Sequence, residues 1–173
     1  AALLLTTRAS SAPVRSQRIG LKPTSARPTL AMTPSNPTPN PTPNPNETAP
    51  CPCGSGQTLG ACCSRWHLGP QHLQAPTAEA LMRSRYSAFV LDRRDYLLAT
   101  WHPRTRPTHL EPPEPGLRWL GLEVRFCRPE ADPDQATVEF VARSKLGGRA
   151  QRLHEVSRFV RESGRWYYLD GKH

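Results

Sequence analysis

Thr77-Ala-Glu-Ala-Leu-Met-Arg-Ser-Arg-Tyr86-Ser-Ala-Phe-Val90 is the stretch on which the fold turns. Pro76-Thr77 followed by Glu79 is a helix start, because a threonine hydroxyl accepts a first-turn N–H and a carboxylate suits the positive end of the helix dipole. The helix is predicted to run to about Leu91. At 100° per residue, Ala78, Leu81, Met82, Arg85, Tyr86, Ala88, Phe89 and Val90 form one broad arc that must be covered. Arg83, Ser84 and Ser87 fall on the opposite side, where solvent or the cysteine-rich loop upstream meets them. Arg85 lies inside the apolar arc, so the two arginines of Arg83-Ser-Arg85 are not equivalent.

Working downstream, Asp92 with Asp95 three residues later resembles a capping box. It predicts a second short helix through Tyr96, Leu97, Leu98 and Trp101, ended by Pro103. Residues 103–116 hold Pro107, Pro112, Pro113 and Pro115 and read as an irregular connection. Beyond it the period changes from helical to alternating. Leu120, Leu122, Val124 and Phe126 give residues 117–128 one apolar face. A turn follows over residues 129–134, and Ala136, Val138, Phe140 and Ala142 repeat the pattern. Gly147-Gly148 breaks it, residues 150–162 form a third strand, and Ser163-Gly164 closes a hairpin into Arg165-Trp-Tyr-Tyr-Leu169. Two helices followed by an antiparallel meander specify an α+β fold, with the helices packed on one face of a curved antiparallel sheet.

Working upstream, four of the five cysteines lie within thirteen residues, Cys51-Pro-Cys53-Gly-Ser-Gly-Gln-Thr-Leu-Gly-Ala-Cys62-Cys63. Ordinary core packing does not require that density. Four thiolates from one short loop can surround a divalent zinc ion tetrahedrally, with Cys51, Cys53, Cys62 and Cys63 as the ligands. Gly54 and Gly56 let the backbone turn sharply so that amide N–H groups point at sulfur, and Arg65 follows closely enough to offset residual negative charge. Disulfides compete with this reading. Adjacent Cys62 and Cys63 are poorly placed to bridge each other, whereas a crossed pair such as Cys51 with Cys62 stays geometrically open. A closed four-thiolate site leaves no position for water, so its expected role is structural. His67 could replace a thiolate, but four cysteines already fill the shell.

The cysteine motif resembles the SEC-C element at the tail of the SecA translocation ATPase, in which the third cysteine is followed directly by His or Cys. The resemblance continues through Thr77–Val90, Asp95-Tyr-Leu and Thr100-Trp-His-Pro103, which together are similar to the YchJ family of small bacterial proteins. It runs from Cys51 to the end and implies a small N-terminal zinc loop over residues 51–75, then a nuclear transport factor 2-like domain over residues 76–173. In that architecture the sheet wraps a helix to leave a conical pocket. The resemblance implies no particular reaction. Some members carry a second SEC-C motif after the main domain; this sequence shows one.

Residues 1–50 hold ten of the twenty prolines, and residues 36–46 are nearly a Pro/Thr/Asn repeat with nothing to bury, so a disordered tail is expected there. Residues 1–31 are basic, rich in Ser and Thr and free of acids. They read either as an organelle transit peptide or as sequence ahead of a true start at Met32, and the bacterial resemblance favours the latter. A cytoplasmic location follows from that choice, an organelle from the other. Leu3-Leu4-Leu5 is too short for a signal peptide core, and no stretch approaches a membrane span. The net charge of +9 divides unevenly: five basic residues and one acid fall in residues 1–50, leaving 18 basic and 13 acidic residues for the rest. That excess carries no recognition-helix pattern, so sequence-specific DNA binding is not expected; a solvated surface or a phosphate-rich partner such as ribosomal RNA accounts for it.

Candidate pocket residues follow from the faces. On the third strand Leu153, Glu155, Ser157 and Phe159 share one side, which aims Glu155 at the core that holds Arg85. The plainer reading is an ion pair joining helix to sheet, with Glu155 the first partner for Arg85 and Asp170 the second. The functional reading is a pocket in which Arg85 binds an anion and Glu155 acts as base. Tyr86, Trp101, His102, Ser157, Trp166 and Tyr168 would line it, although aromatic residues at such positions also serve as plain core. No nucleophile stands beside His102, and Cys127 reads as a partly buried strand residue. Two functions stay open: an interaction module that presents its zinc loop to a protein or ribosomal partner, and a small-molecule binder or enzyme of isomerase, dehydratase or hydrolase type. The intact motif favours the first, so no catalytic residue is assigned.

Overall fold

The structure is a computed structural model, and residues 45–173 are described. A 3-10 turn, Pro45–Thr48, is followed by α1 (Ser64–His67), α2 (Ala78–Val90), α3 (Arg94–Ala99) and four strands, β1 (Arg118–Pro129), β2 (Gln135–Leu146), β3 (Arg149–Glu162) and β4 (Arg165–Lys172). The strands form one antiparallel sheet in the order β1-β2-β3-β4, with α2 packed across one face. This is the α+β arrangement the sequence predicts. The expected disordered tail lies outside the described residues except at its end, where ordered structure begins earlier than Pro50: Gly60 donates to Glu47 O at 2.9 Å and Leu59 to Ala49 O at 2.8 Å.

Helix α2 starts as expected, the Thr77 hydroxyl accepting from Ala80 N–H. It ends differently. Asp92 does not cap a second helix; it takes a left-handed conformation at φ 51°, while Arg93 N–H returns to Ala88 O at 2.8 Å. That 6→1 bond is the Schellman closure of α2, which uses Asp92 where glycine is usual. Helix α3 therefore begins after Arg93 without a side-chain cap, and it stops at Ala99. Trp101 lies beyond it and pairs with Tyr168 in an isolated parallel bridge, which ties the end of α3 to β4.

The inner faces of β2 and β3 hold the core as patterned: Ala136, Val138, Phe140 and Ala142 are buried, as are Glu155, Ser157 and Phe159. Both Gly147-Gly148 and Ser163-Gly164 have positive φ at the two turn positions, as two-residue hairpins on right-twisted strands require. Strand β1 departs from its alternation. Its register slips between Trp119 and Gly121 and again between Val124 and Phe126, so Leu120 and Phe126 are exposed at 54% and 40% instead of facing the core. Each bulge adds one residue against the partner strand and rotates the side chains that follow. Trp119 takes the inner position and meets Tyr86 edge-on at 5.5 Å.

The polar side of α2 is not solvated. Ser84 and Ser87 are fully buried because α1 and the cysteine loop pack there. Arg83 stays half-buried beside them, more exposed than Arg85.

Candidate metal centre

The cysteine loop closes like a miniature hairpin. Pro50 and Thr58 form an isolated antiparallel bridge, and Cys51 N–H donates to Gln57 O at 2.8 Å. Gly54 (φ 74°) and Gly56 (φ 78°) supply the left-handed turns between them. Cys62 and Cys63 arrive from the other side at the entrance to α1. All four Sγ atoms lie within 4.8 Å of one another, Cys53 to Cys62 at 3.6 Å and Cys62 to Cys63 at 3.7 Å. Metal–thiolate bonds of about 2.3 Å arranged tetrahedrally place sulfurs about 3.8 Å apart. A disulfide requires about 2.05 Å, and all five cysteines are free. The donor set thus fits a soft tetrahedral cation.

Electrostatics point the same way. The thiols alone cannot all ionise: hydrogen bonds from the Cys53 and Cys63 thiols hold Cys51 well below its usual range, and Cys63 is pushed up by its hydrogen bonds to the Cys51 and Cys53 sulfurs and by burial. Burial also raises Cys62, although Ser55 Oγ lies 3.2 Å from its sulfur. A divalent cation would stabilise the ionised form of all four.

The loop is anchored to the main domain at several points. Cys51 Sγ meets Ser87 Oγ at 3.6 Å. Arg83 donates to Cys53 O at 3.2 Å while holding Glu79 at 2.8 Å. Gly54 approaches the Leu122 carbonyl on β1. Arg65, expected near the sulfurs, donates to Cys62 O at 3.0 Å and lies over the Trp66 ring. His67 is no ligand; its Nε2 bonds Ser84 O at 2.8 Å, and burial pushes its pKa down. Ser55 sits between the two glycines and could have been noticed in the sequence. Ser87 carried no local signal.

The candidate pocket residues are brought together, and all of them are buried. Arg85 does not pair with a carboxylate. Its Nη1 donates to Leu97 O and Thr100 Oγ1, both at 2.8 Å, and its guanidinium lies 4.7 Å from the Tyr168 ring and 5.3 Å from Trp101. Desolvation pushes its pKa down to about 10, still well above neutrality. Glu155 Oε1 accepts from Ser157 at 2.6 Å and from Tyr168 at 3.1 Å. Asp170, the second expected partner, pairs with Arg158. Ring faces and carbonyl dipoles satisfy the guanidinium where a carboxylate was expected.

Trp166 Nε1 donates to Pro76 O at 3.2 Å, and the Tyr86 hydroxyl, pushed up to about 12 by burial, is engaged by the Gly121 backbone. His102 lies at the edge, its Nε2 3.0 Å from Glu162 Oε1 and its Nδ1 accepting from Arg104 N–H. Cys127 is exposed on β1, correcting the partial burial expected of it. A cleft of about 780 Å³ lies elsewhere, between His67 and Leu68 of the cysteine motif, α3 and the His109–Leu110 segment.

Comparison with known proteins agrees with both halves. Residues 48–65 match the SEC-C motif and residues 77–171 the YchJ middle NTF2-like domain. A UPF0225 protein of Methylibium petroleiphilum is 71% identical over 111 residues, covering 64% of this chain and 79% of that protein. One from Bordetella pertussis is 63% identical over 110 residues, covering 64% and 82%. Among solved structures, a SEC-C motif containing protein from Rhodopseudomonas palustris superposes with a TM-score of 0.60 at 35% identity, over 70% of this chain and 96% of that one. Another from Psychrobacter arcticus gives 0.58 at 30% identity, over 72% and 82%. With a SEC-C loop docked on an NTF2-like domain that spans more than half its length, the chain belongs to the YchJ family.

Proposed function

We propose that the chain is a zinc-binding interaction module, whose cysteine loop holds one zinc ion through Cys51, Cys53, Cys62 and Cys63 and presents a rigid surface to a protein or ribosomal partner in the cytoplasm. The observation that carries it is the thiol cluster: four sulfurs within 4.8 Å of one another, three of the cysteines buried, under an exposed turn at residues 54–58. The bound ion fixes that turn. The ion takes no part in chemistry, because four protein ligands leave no place for substrate.

Support for the enzymatic alternative is weaker. Arg85, Tyr86, Glu155, Ser157 and Tyr168 are engaged with one another or with backbone, and each is buried. No helix among the described residues is long and apolar enough to cross a membrane. The test is a capture experiment from host lysate with the intact chain against Cys62→Ser/Cys63→Ser, the main domain first shown to stay folded by circular dichroism. Loss of specific partners in the double variant supports the reading. An identical partner profile, with turnover of a metabolite abolished by Glu155→Gln, would replace it with the enzymatic one.

A further inference from the structure

On the face of the sheet turned away from α2, like charges stand opposite each other at the end where β2 turns into β3. Arg143 on β2 is the direct cross-strand partner of Arg152 on β3, and Lys145 of β2 is the partner of Arg118 on β1. Arg143 and Lys145 are two residues apart, so both pairs project from the same side. All four side chains are exposed.

Only Arg143 has a carboxylate partner, Glu123 Oε2 at 3.0 Å, and Glu123 is shared with Arg125 at 3.8 Å. Among the described residues, Arg118, Lys145 and Arg152 have none. Elsewhere on this face the pattern is the opposite: Glu139 takes His154 at 2.7 Å and Arg125 at 3.7 Å, and Asp170 pairs with Arg158. Like charges directly opposite in an antiparallel sheet cost stability, and opposite charges contribute to it. Two adjacent like pairs, beside a stretch of the same face where opposite charges meet, describe a surface arranged for something other than folding.

We infer that this basic face, Arg118, Arg143, Lys145 and Arg152, binds the phosphate backbone of single-stranded RNA. The four cations cross three adjacent strands, which lie about 4.8 Å apart, and so form a continuous band of charge. A continuous polyanion is complementary to a band, whereas an acidic protein surface offers separate carboxylates. Arginine contributes three of the four, and its planar fork grips phosphate oxygens in pairs. Neutralising the band relieves the cross-strand repulsion and releases counterions, so binding is favoured twice. No side chain here reads bases, and the binding is therefore indifferent to sequence. The face is separate from the cysteine loop, and the inference stands whether or not that loop recognises a partner.

The test is fluorescence anisotropy of a labelled oligouridylate with the metal-loaded full chain. It compares wild type, Lys145→Gln/Arg152→Gln, and a charge-matched control, Arg104→Gln/Arg128→Gln, across a salt series. The patch variant is expected to bind about tenfold more weakly, with the slope of log K against log salt reduced by about 1.4, since each phosphate contact contributes about 0.7 for a single strand. Its melting temperature should equal or exceed that of wild type, and its zinc content should be unchanged; this combination separates lost binding from lost folding. Affinity equal to wild type, or equal loss in the control, overturns the inference. So does competition by polyglutamate or by phosphatidylglycerol vesicles that matches competition by RNA, which would assign the face to an acidic protein or a lipid surface.

Discussion

Cys51 Sγ lies 3.6 Å from Ser87 Oγ, so the first thiol of the metal loop touches the helix on which the main domain is built. With Arg83 bonded to Cys53 O on the same side of α2, the loop is part of the domain's packing and no mere appendage. Ligation there should register in the stability of the whole described chain.

Metal removal is thus expected to act at a distance. Reduced, purified protein should contain one zinc per chain by elemental analysis, and Cys62→Ser/Cys63→Ser almost none. A strong chelator should lower the unfolding midpoint of the sheet's aromatic signal. A loss of about 3 kcal/mol is worth about 10 °C at this size. Zinc-free protein with an unshifted midpoint would show that loop and domain fold independently.

Tyr168 stands between the two buried charges, its ring against Arg85 and its hydroxyl on Glu155. A double-mutant cycle should follow that geometry. Tyr168→Phe with Glu155→Gln should couple by about 1 kcal/mol, and Arg85→Met with Glu155→Gln by less, because the latter pair shares no direct contact. Arg85→Met alone should cost about 3 kcal/mol through its lost bonds to Leu97 O and Thr100. Urea denaturation reads all of these, and strong Arg85–Glu155 coupling would restore the ion pair expected from sequence.

His67 gives a pH dependence of known sign. Burial holds its pKa below 6.5 in the folded state, so the unfolded chain binds the proton more readily. The stability this residue contributes is present above about 6.5 and declines as pH falls from there toward the depressed folded value. Wild type should lose stability faster than His67→Gln through that window in the metal-loaded protein. Parallel curves would assign the acid limb to other groups.

A methyl group at position 171 has no room. A Cβ there would run into the Glu155 carboxylate, so Gly171→Ala should displace Glu155 from Ser157 and Tyr168 and cost about 2 kcal/mol or more. Thermal unfolding checks this, and a neutral result would mean that β4 shifts without penalty.

The cysteine spacing, helix α2 and both two-residue hairpins were legible because each rests on local chemistry: a ligand set, a cap, a positive-φ turn. What stayed hidden depends on contacts distant in sequence. For Ser84 and Ser87 a helical wheel leaves both solvent and the cysteine loop open as neighbours, and no period within α2 decides between them. Leu120 and Phe126 alternate correctly as a string and still miss the core, since bulges leave no trace in composition. For Arg85 the burial could be read and the partner could not; carbonyls and ring faces are available in every core, so nothing in the sequence selects them over a carboxylate.

The bulges in β1 have one more consequence. An open sheet has two outer strands, each able to recruit another chain through unpaired backbone groups. Here the slips at Trp119/Gly121 and Val124/Phe126 interrupt the ladder along one margin, beside which Gly54 of the metal loop approaches Leu122 O. Along the other, Tyr168 exchanges backbone bonds with Thr100 O at 2.9 Å and His102 N at 2.8 Å. At these points the two borders are closed to strand addition, so a second chain finds neither margin continuous.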